Sequence, residues 1–269
     1  MTPRARLVET IRRRRSMLCV GLDPDLDRIP LQFGTGLDRV IPFLRAVIEE
    51  TAHYAVAYKA NTAFYERWGR RGWEWLEAIS EMVSPDHILI ADAKRGDVGH
   101  TACQYAAAFL ESGRWDGITV NPLMGLDTLA PYLAYSDRWT IVLGLTSNAG
   151  ASDFLSASLR QPLFRRILRK VGAMGSPDHV MFVIGATQPG YFQQVRKVIP
   201  HHFLLVPGVG AQGGMLQPVL EHLVIPDVGG LLINASRSIL YPDVSKGKRW
   251  MDSVKTSARH LWEKMRNYV

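Results

Sequence analysis

Eight short apolar segments recur along the whole of this 269-residue chain. Most are continuous apolar runs rather than alternating ones, which is typical of parallel strands covered on both faces. Several of the segments between them open with polar or proline residues and close with glycine, as helices do. The predicted strands are 17–23, 55–61, 88–94, 117–122, 140–147, 179–187, 202–210 and 230–237.

Strand and helix therefore alternate from one end of the chain to the other. Eight such units in about 250 residues match the size of a (β/α)8 barrel, and we predict an α/β fold of this class, a (β/α)8 TIM barrel. An open doubly wound sheet is the alternative. No linker or change of composition divides the chain, which predicts a single domain over residues 1–269. The predicted helices are an extra N-terminal one over 4–15 and then 37–52, 72–82, 101–112, 155–172, 190–199 and 215–223.

Most of the excess positive charge lies in the first fifteen residues. Lys and Arg number 32 and Asp and Glu 25, a net charge of +7, and six arginines between residues 4 and 15 face Glu9 alone. Because the rest of the chain is nearly neutral, we predict neither a nucleic-acid nor a membrane partner and interpret these arginines as a solvated outer face. A contact of this helix with RNA or an acidic partner is the alternative.

The chain has two cysteines, Cys19 and Cys103, both in apolar or alanine-rich stretches. This favours buried small side chains over a disulfide and predicts a cytoplasmic protein. The run from Met17 to Asp23 reads as an integral first strand, so a removable targeting segment is not expected. No apolar stretch approaches the length of a membrane span.

Polar residues are concentrated where the predicted strands end, while the starts of the strands carry few. Because (β/α)8 enzymes have their active sites at the carboxyl ends of the strands, this asymmetry predicts an enzyme with its site on one rim. The residues concerned are Asp23, Lys59, Asn61, Asp92, Lys94, Asn121, Thr146, Ser147, Asn148, Thr187, Gly208, Gly210, Asn234, Ser236 and Arg237.

The densest group is the segment Asp92-Ala-Lys-Arg-Gly-Asp97. Residues two apart on a strand share a face, so Asp92 and Lys94 are expected to point into the barrel mouth, with Asp97 on the loop beyond. Lys59, near the end of the preceding strand, can reach the same mouth. The resulting array of two ammonium and two carboxylate groups suits a general acid that delivers a proton to a carbanion.

A glycine-rich loop, residues 207–214, follows the seventh predicted strand. It contains the GxGxxG spacing of dinucleotide sites, but the acidic residue that should end the next strand, Asp227, precedes it instead. Loops after strands seven and eight of barrels commonly bind phosphate through exposed backbone N–H groups. We therefore predict a phosphate site here, completed by Gln212 and Arg237.

The segment Thr146-Ser-Asn148 offers three small hydrogen-bonding side chains suited to the polar edge of a ring. No metal site is predicted. The aspartates at 23, 25 and 27 imitate the start of a calcium loop, but the loop lacks the glycine and glutamate that such loops need. The eight histidines show no zinc-binding spacing.

Taken together, these segments resemble the orotidine 5′-phosphate decarboxylase family in its type 2 form. The DxKxxD element alone is shared with other sugar-phosphate barrels, so the specificity of the resemblance rests on TSN, PGVGAQGG and the final ASR occurring together. Val98 stands where many members have Ile, a difference expected to affect packing only. The matching segments, in the family's order, are Cys19–Asp25, Lys59, Asp92–Asp97, Thr146–Asn148, Val183–Thr187, Val206–Gly214 and Asn234–Arg237.

The resemblance implies decarboxylation of orotidine 5′-monophosphate (OMP) to UMP and CO2, the last step of de novo pyrimidine synthesis, without metal or cofactor. It also implies a homodimer with shared active sites, in which Asp97 and Thr101 reach into the partner's site. Lys94 would protonate the carbanion at C6. The implied catalytic residues are Lys94, Asp92, Asp97 and Lys59, and the implied substrate contacts are Asp23 and Thr101 at the ribose, Thr146, Ser147 and Asn148 at the pyrimidine, and Pro207, Gly208, Gly210, Gln212, Gly213 and Arg237 at the phosphate.

Two alternatives remain at this point. A magnesium-dependent sugar-phosphate aldolase or decarboxylase, such as a hexulose-phosphate synthase, shares the barrel and the DxKxxD element, and sensitivity to chelators distinguishes it. A non-catalytic barrel that binds a phosphoribosyl ligand or RNA is suggested by the basic N-terminus and the phosphate loop. It predicts nucleotide binding that survives Lys94→Ala, with no turnover.

Overall fold

The predicted strands form one closed barrel. The computed structural model describes residues 1–157, 161–210, 212–244 and 249–269. The strands are β1 Leu18–Gly21, β2 Ala55–Asn61, β3 Ile88–Arg95, β4 Gly117–Val120, β5 Trp139–Leu145, β6 Val180–Ile184, β7 Phe203–Val206 and β8 Leu231–Ala235. All neighbours are parallel and follow chain order, and β8 closes on β1. The predicted (β/α)8 fold is confirmed.

Helices connect consecutive strands. Three of them, α2, α6 and α9 in the list below, are entered through a turn of 3₁₀ helix, at 37–39, 127–129 and 189–191. The predicted helix over 155–172 begins only at Leu163, and residues 158–160 of that prediction lie outside the described residues. The helices are α1 Pro3–Arg14, α2 Val40–Thr51, α3 Ala63–Glu66, α4 Arg70–Met82, α5 Gly99–Leu110, α6 Ala130–Leu133, α7 Ala151–Phe154, α8 Leu163–Met174, α9 Phe192–Val198, α10 Leu216–Leu223, α11 Arg237–Leu240 and α12 Trp250–Met265.

Several strands end earlier than the sequence predicts, which leaves their last polar residues on loops. The seventh was predicted over 202–210, but β7 ends at Val206. Pro207 has no backbone N–H to continue the ladder, and Gly208 adopts φ +94°. Some polar residues of the rim, such as Ser147 and Gln212, are therefore carried by loops, whereas Lys59, Asp92 and Lys94 remain on β2 and β3.

The continuous apolar runs are buried on both faces, as predicted. Every residue of β1, β4, β6, β7 and β8 is buried. Side chains on one face fill the barrel, and those on the other pack against the surrounding helices. The largest fully buried side chains include Trp139, Tyr58 and Phe182.

Helix α1 closes the amino end of the barrel, and the predicted solvated face holds for part of it: Arg12, Arg13 and Arg15 are exposed, whereas Arg4, Arg6 and Arg14 are half-buried. Leu7 and Ile11 are fully buried, and Thr2 caps the helix by accepting a hydrogen bond from the Ala5 amide at 3.2 Å. Its arginines donate to carbonyl groups of the loops that enter the strands: Arg4 to Pro177 and His201, Arg6 to Pro85 and His87, Arg12 to Asp227, and Arg14 to Ala52. The excess charge therefore serves internal contacts.

One cysteine departs from the prediction. Cys19 is buried in β1, but Cys103 is exposed on α5. That helix buries Ala102 and Ala106, which lie four residues apart on one face, and Cys103 falls on the other face. Within the described residues, no helix has the length and apolar character needed to cross a bilayer.

Candidate active site

A cavity of about 670 Å³ opens at the carboxyl end of the barrel, on the predicted rim. Its wall combines strand residues that point inward with the loops that follow them. The predicted site residues on this wall are Asp23, Lys59, Asp92, Lys94, Thr146, Ser147, Asn148, Pro207, Gly208, Gln212 and Arg237.

Asp92 holds two ammonium groups at once. Lys59 Nζ donates to Asp92 Oδ2 at 2.9 Å, and Lys94 Nζ donates to Asp92 Oδ1 at 2.6 Å. In the β2–β3 ladder Asn61 pairs with Asp92, so Lys59 lies on the same face of the sheet as Asp92. The Lys59 side chain is 5% exposed and that of Lys94 is 46% exposed, so Lys94 is the more accessible of the two ammonium groups.

Mutual attraction keeps this buried pair charged. Burial alone would raise the pKa of Asp92, but the Lys59 and Lys94 ammonium groups outweigh it and hold that pKa well below its usual range. Burial likewise opposes the charge on Lys59, and the Asp23 and Asp92 carboxylates outweigh it and raise the pKa of Lys59 above its usual value. Lys59 and Asp92 therefore both remain charged across the neutral pH range.

Thr119 on β4 joins this group and is a site residue that the motifs did not predict. Its hydroxyl donates to Asp92 Oδ1 at 2.9 Å and accepts from the Lys94 backbone amide at 2.9 Å. Thr119 is fully buried. A threonine within an otherwise apolar strand, two residues before Asn121, is the signal in the sequence that points to it.

Asp23 ties together the loops that follow three strands. Its Oδ1 accepts from the Asn61 amide at 3.1 Å, and its Oδ2 accepts from Ser236 Oγ at 2.7 Å. The approach needs Gly21, because a Cβ there would lie 1.7 Å from Ser236 Oγ. Asp23 is therefore held rigidly on the cavity wall.

The segment Thr146–Asn148 is fixed by the residues that follow β6. Thr187 Oγ1 donates to the Ser147 carbonyl at 2.8 Å, and Thr146 Oγ1 donates to Asn148 Oδ1 at 2.7 Å. A Cβ at Gly185 would lie 2.6 Å from the Ser147 Cα. The glycine after β6 thus lets this polar turn lie against the neighbouring loop.

The glycine loop after β7 uses three of its amides for hydrogen bonds within the loop, so these three are not available to the predicted phosphate nest. Gly210 N donates to the Gly214 carbonyl at 2.9 Å, Gly213 N to Gly210 at 2.8 Å, and Gly214 N to Gly208 at 3.0 Å. Neither Gly210 nor Gly213 lines the cavity, and Ala211 lies outside the described residues. The polar side chains that the loop region presents to the cavity are those of Gln212 and Arg237.

Two predicted residues lie off the cavity of their own chain. The Asp97 carboxylate accepts a hydrogen bond from the Val98 amide at 2.8 Å, and Thr101 is exposed on α5. Neither lines the cavity that the described residues form. Of the four charges expected to converge, Lys59, Asp92 and Lys94 do so within one chain and Asp97 does not. The second carboxylate near Lys59 in this chain is that of Asp23.

The sequence profile of the orotidine 5′-phosphate decarboxylase / HUMPS family matches residues 16–245. The chain belongs to this family. It is 41% identical over 264 residues to the orotidine 5′-phosphate decarboxylase of Bacteroides fragilis strain YCH46, covering 96% of this chain and 95% of the relative. It is 43% identical over 242 residues to that of Phocaeicola vulgatus, covering 88% and 89%.

Solved structures with the same fold include members of the orotidine 5′-phosphate decarboxylase family. The OMP decarboxylase of Leishmania donovani superposes with a TM-score of 0.86 at 31% identity, covering all of this chain and 99% of that chain. Leishmania donovani UMP synthase gives a TM-score of 0.86 at 32% identity, and the match spans 55% of its length. The resemblance drawn from the motifs is confirmed.

The orotidine 5′-phosphate decarboxylase motifs did not reveal one corner of the cavity. The Arg28 guanidinium lies 4.3 Å from the centre of the Tyr241 ring, and the Tyr241 hydroxyl accepts from the Asp25 amide at 2.6 Å. Burial, with the nearby Asp25 carboxylate, raises the pKa of Tyr241 to about 12, so the hydroxyl stays neutral. Arg28 and Tyr241 lie in different motif-free segments, so no spacing in the sequence connects them.

Leu143, Val183 and Leu205 form an apolar part of the wall. They lie on β5, β6 and β7, where the sequence shows ordinary core residues. They occupy the last inward-facing positions of these strands, and this position distinguishes them from the core residues deeper in the barrel.

Proposed function

We propose that this chain decarboxylates OMP to UMP and CO2, the last step of de novo pyrimidine synthesis, without a metal or cofactor. The observation that carries the proposal is the Lys59–Asp92–Lys94 group at the mouth of the cavity. Gln212 and Arg237 lie after β7 and β8, across the barrel from β3. A nucleotide with its reacting ring over Lys94 and its phosphate at Arg237 matches this separation of charges.

Lys94 supplies the proton in the proposed reaction. When the bond from C6 to the carboxylate breaks, CO2 leaves and the electron pair remains on C6 as a carbanion. The Lys94 ammonium, held 2.6 Å from Asp92, stabilises that charge and then transfers a proton to form the C6–H bond of UMP. The lysine amine regains its proton from solvent, so no oxidant or reductant is consumed.

The state of Asp92 supports chemistry without a metal. Its Oδ2 accepts from Lys59, and its Oδ1 accepts from Lys94 and Thr119. A divalent cation would have to displace these donors and lie beside two ammonium groups, which repel it. The carboxylate therefore suits a role that orients ammonium groups better than a role as a metal ligand.

Substrate binding is proposed to use the residues on the other walls. Arg237 pairs with the phosphate through charge-assisted hydrogen bonds, Gln212 adds a neutral donor, and Asp23 accepts from a ribose hydroxyl. Ser147 and its neighbours bind the pyrimidine edge. Because binding energy at the phosphate is far from C6, it orients the ring over Lys94, so weakening it is expected to lower turnover as well as affinity.

The absorbance change of OMP in excess EDTA tests the function directly. We expect the wild-type chain to convert OMP to UMP at full rate, Lys94→Ala to lose turnover while still binding UMP, and Lys255→Ala, a change of an exposed lysine on α12, to behave as wild type. No conversion in EDTA, with activity on a sugar phosphate once magnesium is added, would assign the chain to a different reaction. Nucleotide binding without any turnover would make it a binding protein.

We further propose that the enzyme is a homodimer whose partner completes the site. Asp97 and Thr101 do not line the cavity that the described residues of their own chain form. Apolar residues are exposed near them: Val98 is 54%, Leu123 59% and Met124 54% exposed. The loops that carry them are joined at their base, where Asn121 N donates to the Arg95 carbonyl at 2.7 Å. An apolar patch of this kind on the rim favours burial against a second copy of the chain.

A cytoplasmic location is proposed on the state of the cysteines. Cys19 and Cys103 are both free thiols, one buried in β1 and one exposed on α5. Free exposed thiols are typical of proteins in a reducing compartment. Fractionation of cells that produce the tagged chain tests this placement.

A further inference from the structure

The β3–β4 ladder is interrupted at the charged group. Ala91 pairs with Ile118 and Arg95 pairs with Val120, so three residues of β3, 92–94, stand opposite the single residue Thr119. A bulge of this kind leaves backbone groups without ladder partners and turns side chains in new directions. The bulged segment of β3 contains Asp92 and Lys94, the two residues that are central to the proposed function.

The Thr119 side chain takes the place of the missing ladder partner. Its hydroxyl oxygen accepts from the Lys94 amide at 2.9 Å, and its single proton goes to Asp92 Oδ1 at 2.9 Å. Because a hydroxyl has one proton and the amide can only donate, these directions are fixed. Thr119 is fully buried, so water does not substitute for it in this arrangement.

The bond to the Lys94 amide supports an unusual backbone conformation. Lys94 has φ +49°, in the left-handed region that residues with a Cβ rarely adopt. This conformation turns the Lys94 side chain back so that Nζ reaches the same carboxylate oxygen that Thr119 contacts, Asp92 Oδ1. Thr119 thus bonds to the backbone amide of Lys94 and to the side-chain carboxylate of Asp92.

We propose that Thr119 is a positioning residue for the decarboxylation, an inference that rests on the proposed function. Its hydroxyl holds the Lys94 backbone in the left-handed conformation and fixes the rotamer of Asp92, which together aim the Lys94 ammonium at C6 of the substrate. Thr119 does not line the cavity formed by the described residues, so it acts through Lys94 and Asp92 and touches no substrate atom. Its removal is therefore expected to affect the chemical step more than binding.

Thr140 is a matched control on the next strand. It is also a fully buried threonine, and its Oγ1 has no hydrogen-bond partner among the described residues. In the β4–β5 ladder it pairs with Ile118, the neighbour of Thr119. Thr140→Val therefore makes the same chemical change at the same depth of the barrel without touching the Lys94–Asp92 pair.

The test compares steady-state kinetics with OMP and the affinity for UMP in three variants. We expect Thr119→Val to lower kcat by about 10- to 100-fold, the range for losing a hydrogen bond to a charged group, with KM and the UMP Kd within about threefold of wild type. Thr119→Ser keeps the hydroxyl and is expected to stay within about threefold in kcat, as is Thr140→Val. Unchanged kcat in Thr119→Val, or an equal loss in Thr119→Val and Thr119→Ser, would overturn the assignment.

Two further comparisons keep the outcome decisive. If the valine variant does not fold, Thr119→Cys replaces it, because a thiol is a weak donor and acceptor; kcat is then expected to fall in the order Thr, Ser, Cys, and equal values for Ser and Cys would refute the role. A wild-type chain that does not turn over OMP overturns the proposed function and this role with it. An active wild-type chain with a fully active Thr119→Val variant overturns the role of Thr119 alone.

Discussion

Asp92 is the residue on which the electrostatics of the site depend. It is 9% exposed, and its two oxygens accept from two lysines and one threonine. A buried carboxylate of this kind is stable only while its partners remain, because removing one leaves an uncompensated charge in a medium of low polarity. The buried Lys59 is thus as much a structural partner of Asp92 as a member of the proposed catalytic group.

Replacing Lys59 by methionine is expected to destabilise the protein by about 3–5 kcal/mol at neutral pH, the usual loss when one partner of a buried ion pair is removed. Urea unfolding monitored by circular dichroism measures this. Arg114→Met is the control, because it breaks the exposed pair of Arg114 and Glu77, 3.2 Å apart, and such pairs contribute about 0–1 kcal/mol. An equal loss in both variants would contradict the buried-pair argument.

The loss in Lys59→Met is expected to shrink as the pH falls. The lowered pKa of Asp92 stabilises the wild type above the ordinary value of 3.8, and this contribution is lost as the pH falls further. In the folded variant Asp92 takes up a proton at a higher pH than in the folded wild type. The difference in free energy of unfolding between the two proteins therefore becomes smaller in acid. On the alkaline side, the raised pKa of Lys59 stabilises the wild type below 10.5, and that contribution is lost as the pH rises through the folded value.

At the scale of elements, the site is built from irregularities in otherwise regular strands. The bulge of β3 brings Lys94 back towards Asp92, and the glycine turn after β7 closes on itself and places Gly208 on the cavity wall. Gly208 shows why the turn needs glycine. It has φ +94°, and a Cβ there would lie 2.9 Å from Gln212 Oε1 and 3.1 Å from Ser147 Cβ.

Gly208→Ala is therefore expected to impair substrate binding as well as stability. The new methyl group displaces Gln212 and Ser147, so KM for OMP should rise about tenfold or more, the effect of misplacing a binding group. Gly34→Ala is the matched control: Gly34 has φ +98° with nothing within 4 Å of the new Cβ. Because the backbone strain is the same, Gly34→Ala should also lower the free energy of unfolding in urea, but it should leave KM unchanged. Equal KM values in the two variants would argue against a role for this turn in binding.

At the scale of the whole molecule, the two ends of the barrel have different tasks. The arginines of α1 bind carbonyl groups of the loops at the amino end, while the carboxyl end carries the cavity and the exposed apolar side chains of Val98 and Leu123. This division is typical of (β/α)8 enzymes, in which one end stabilises and the other reacts. The single chain, however, leaves Asp97 outside its own cavity.

If a partner subunit supplies Asp97, two variants that are inactive by themselves should regain activity when they are combined in one dimer. Lys94→Ala and Asp97→Ala, unfolded and refolded together in equal amounts, form mixed dimers with one native site each, so about a quarter of wild-type turnover should return. Lys94→Ala refolded with Asp92→Asn is the control, because both changes fall in the same chain's site and no native site forms. Sedimentation velocity establishes whether Leu123→Asp separates the subunits. Absence of any restoration, or a monomeric wild type, would refute the shared site.

The sequence was enough to predict a (β/α)8 barrel, with an open doubly wound sheet as the alternative, and most of the residues on its rim. Continuous apolar runs indicate strands that are buried on both faces, and parallel strands that alternate with helices leave few topologies open. Because the strands end together at one edge, residues such as Asp92, Ser147 and Arg237 could be placed around one mouth from chain position alone. Their types and spacing also sufficed for the family.

Contacts that depend on exact geometry or on distant segments could not be predicted from the sequence. The bulge that sets Thr119 opposite Lys94 arises because three residues of β3 stand opposite one residue of β4. No pattern within a single strand indicates this mismatch. The pairing of Arg28 with Tyr241 and the placement of the α1 arginines under the barrel join segments far apart in the chain. Side-chain hydrogen bonds act over about 3 Å, whereas sequence patterns report burial and direction averaged over a whole element.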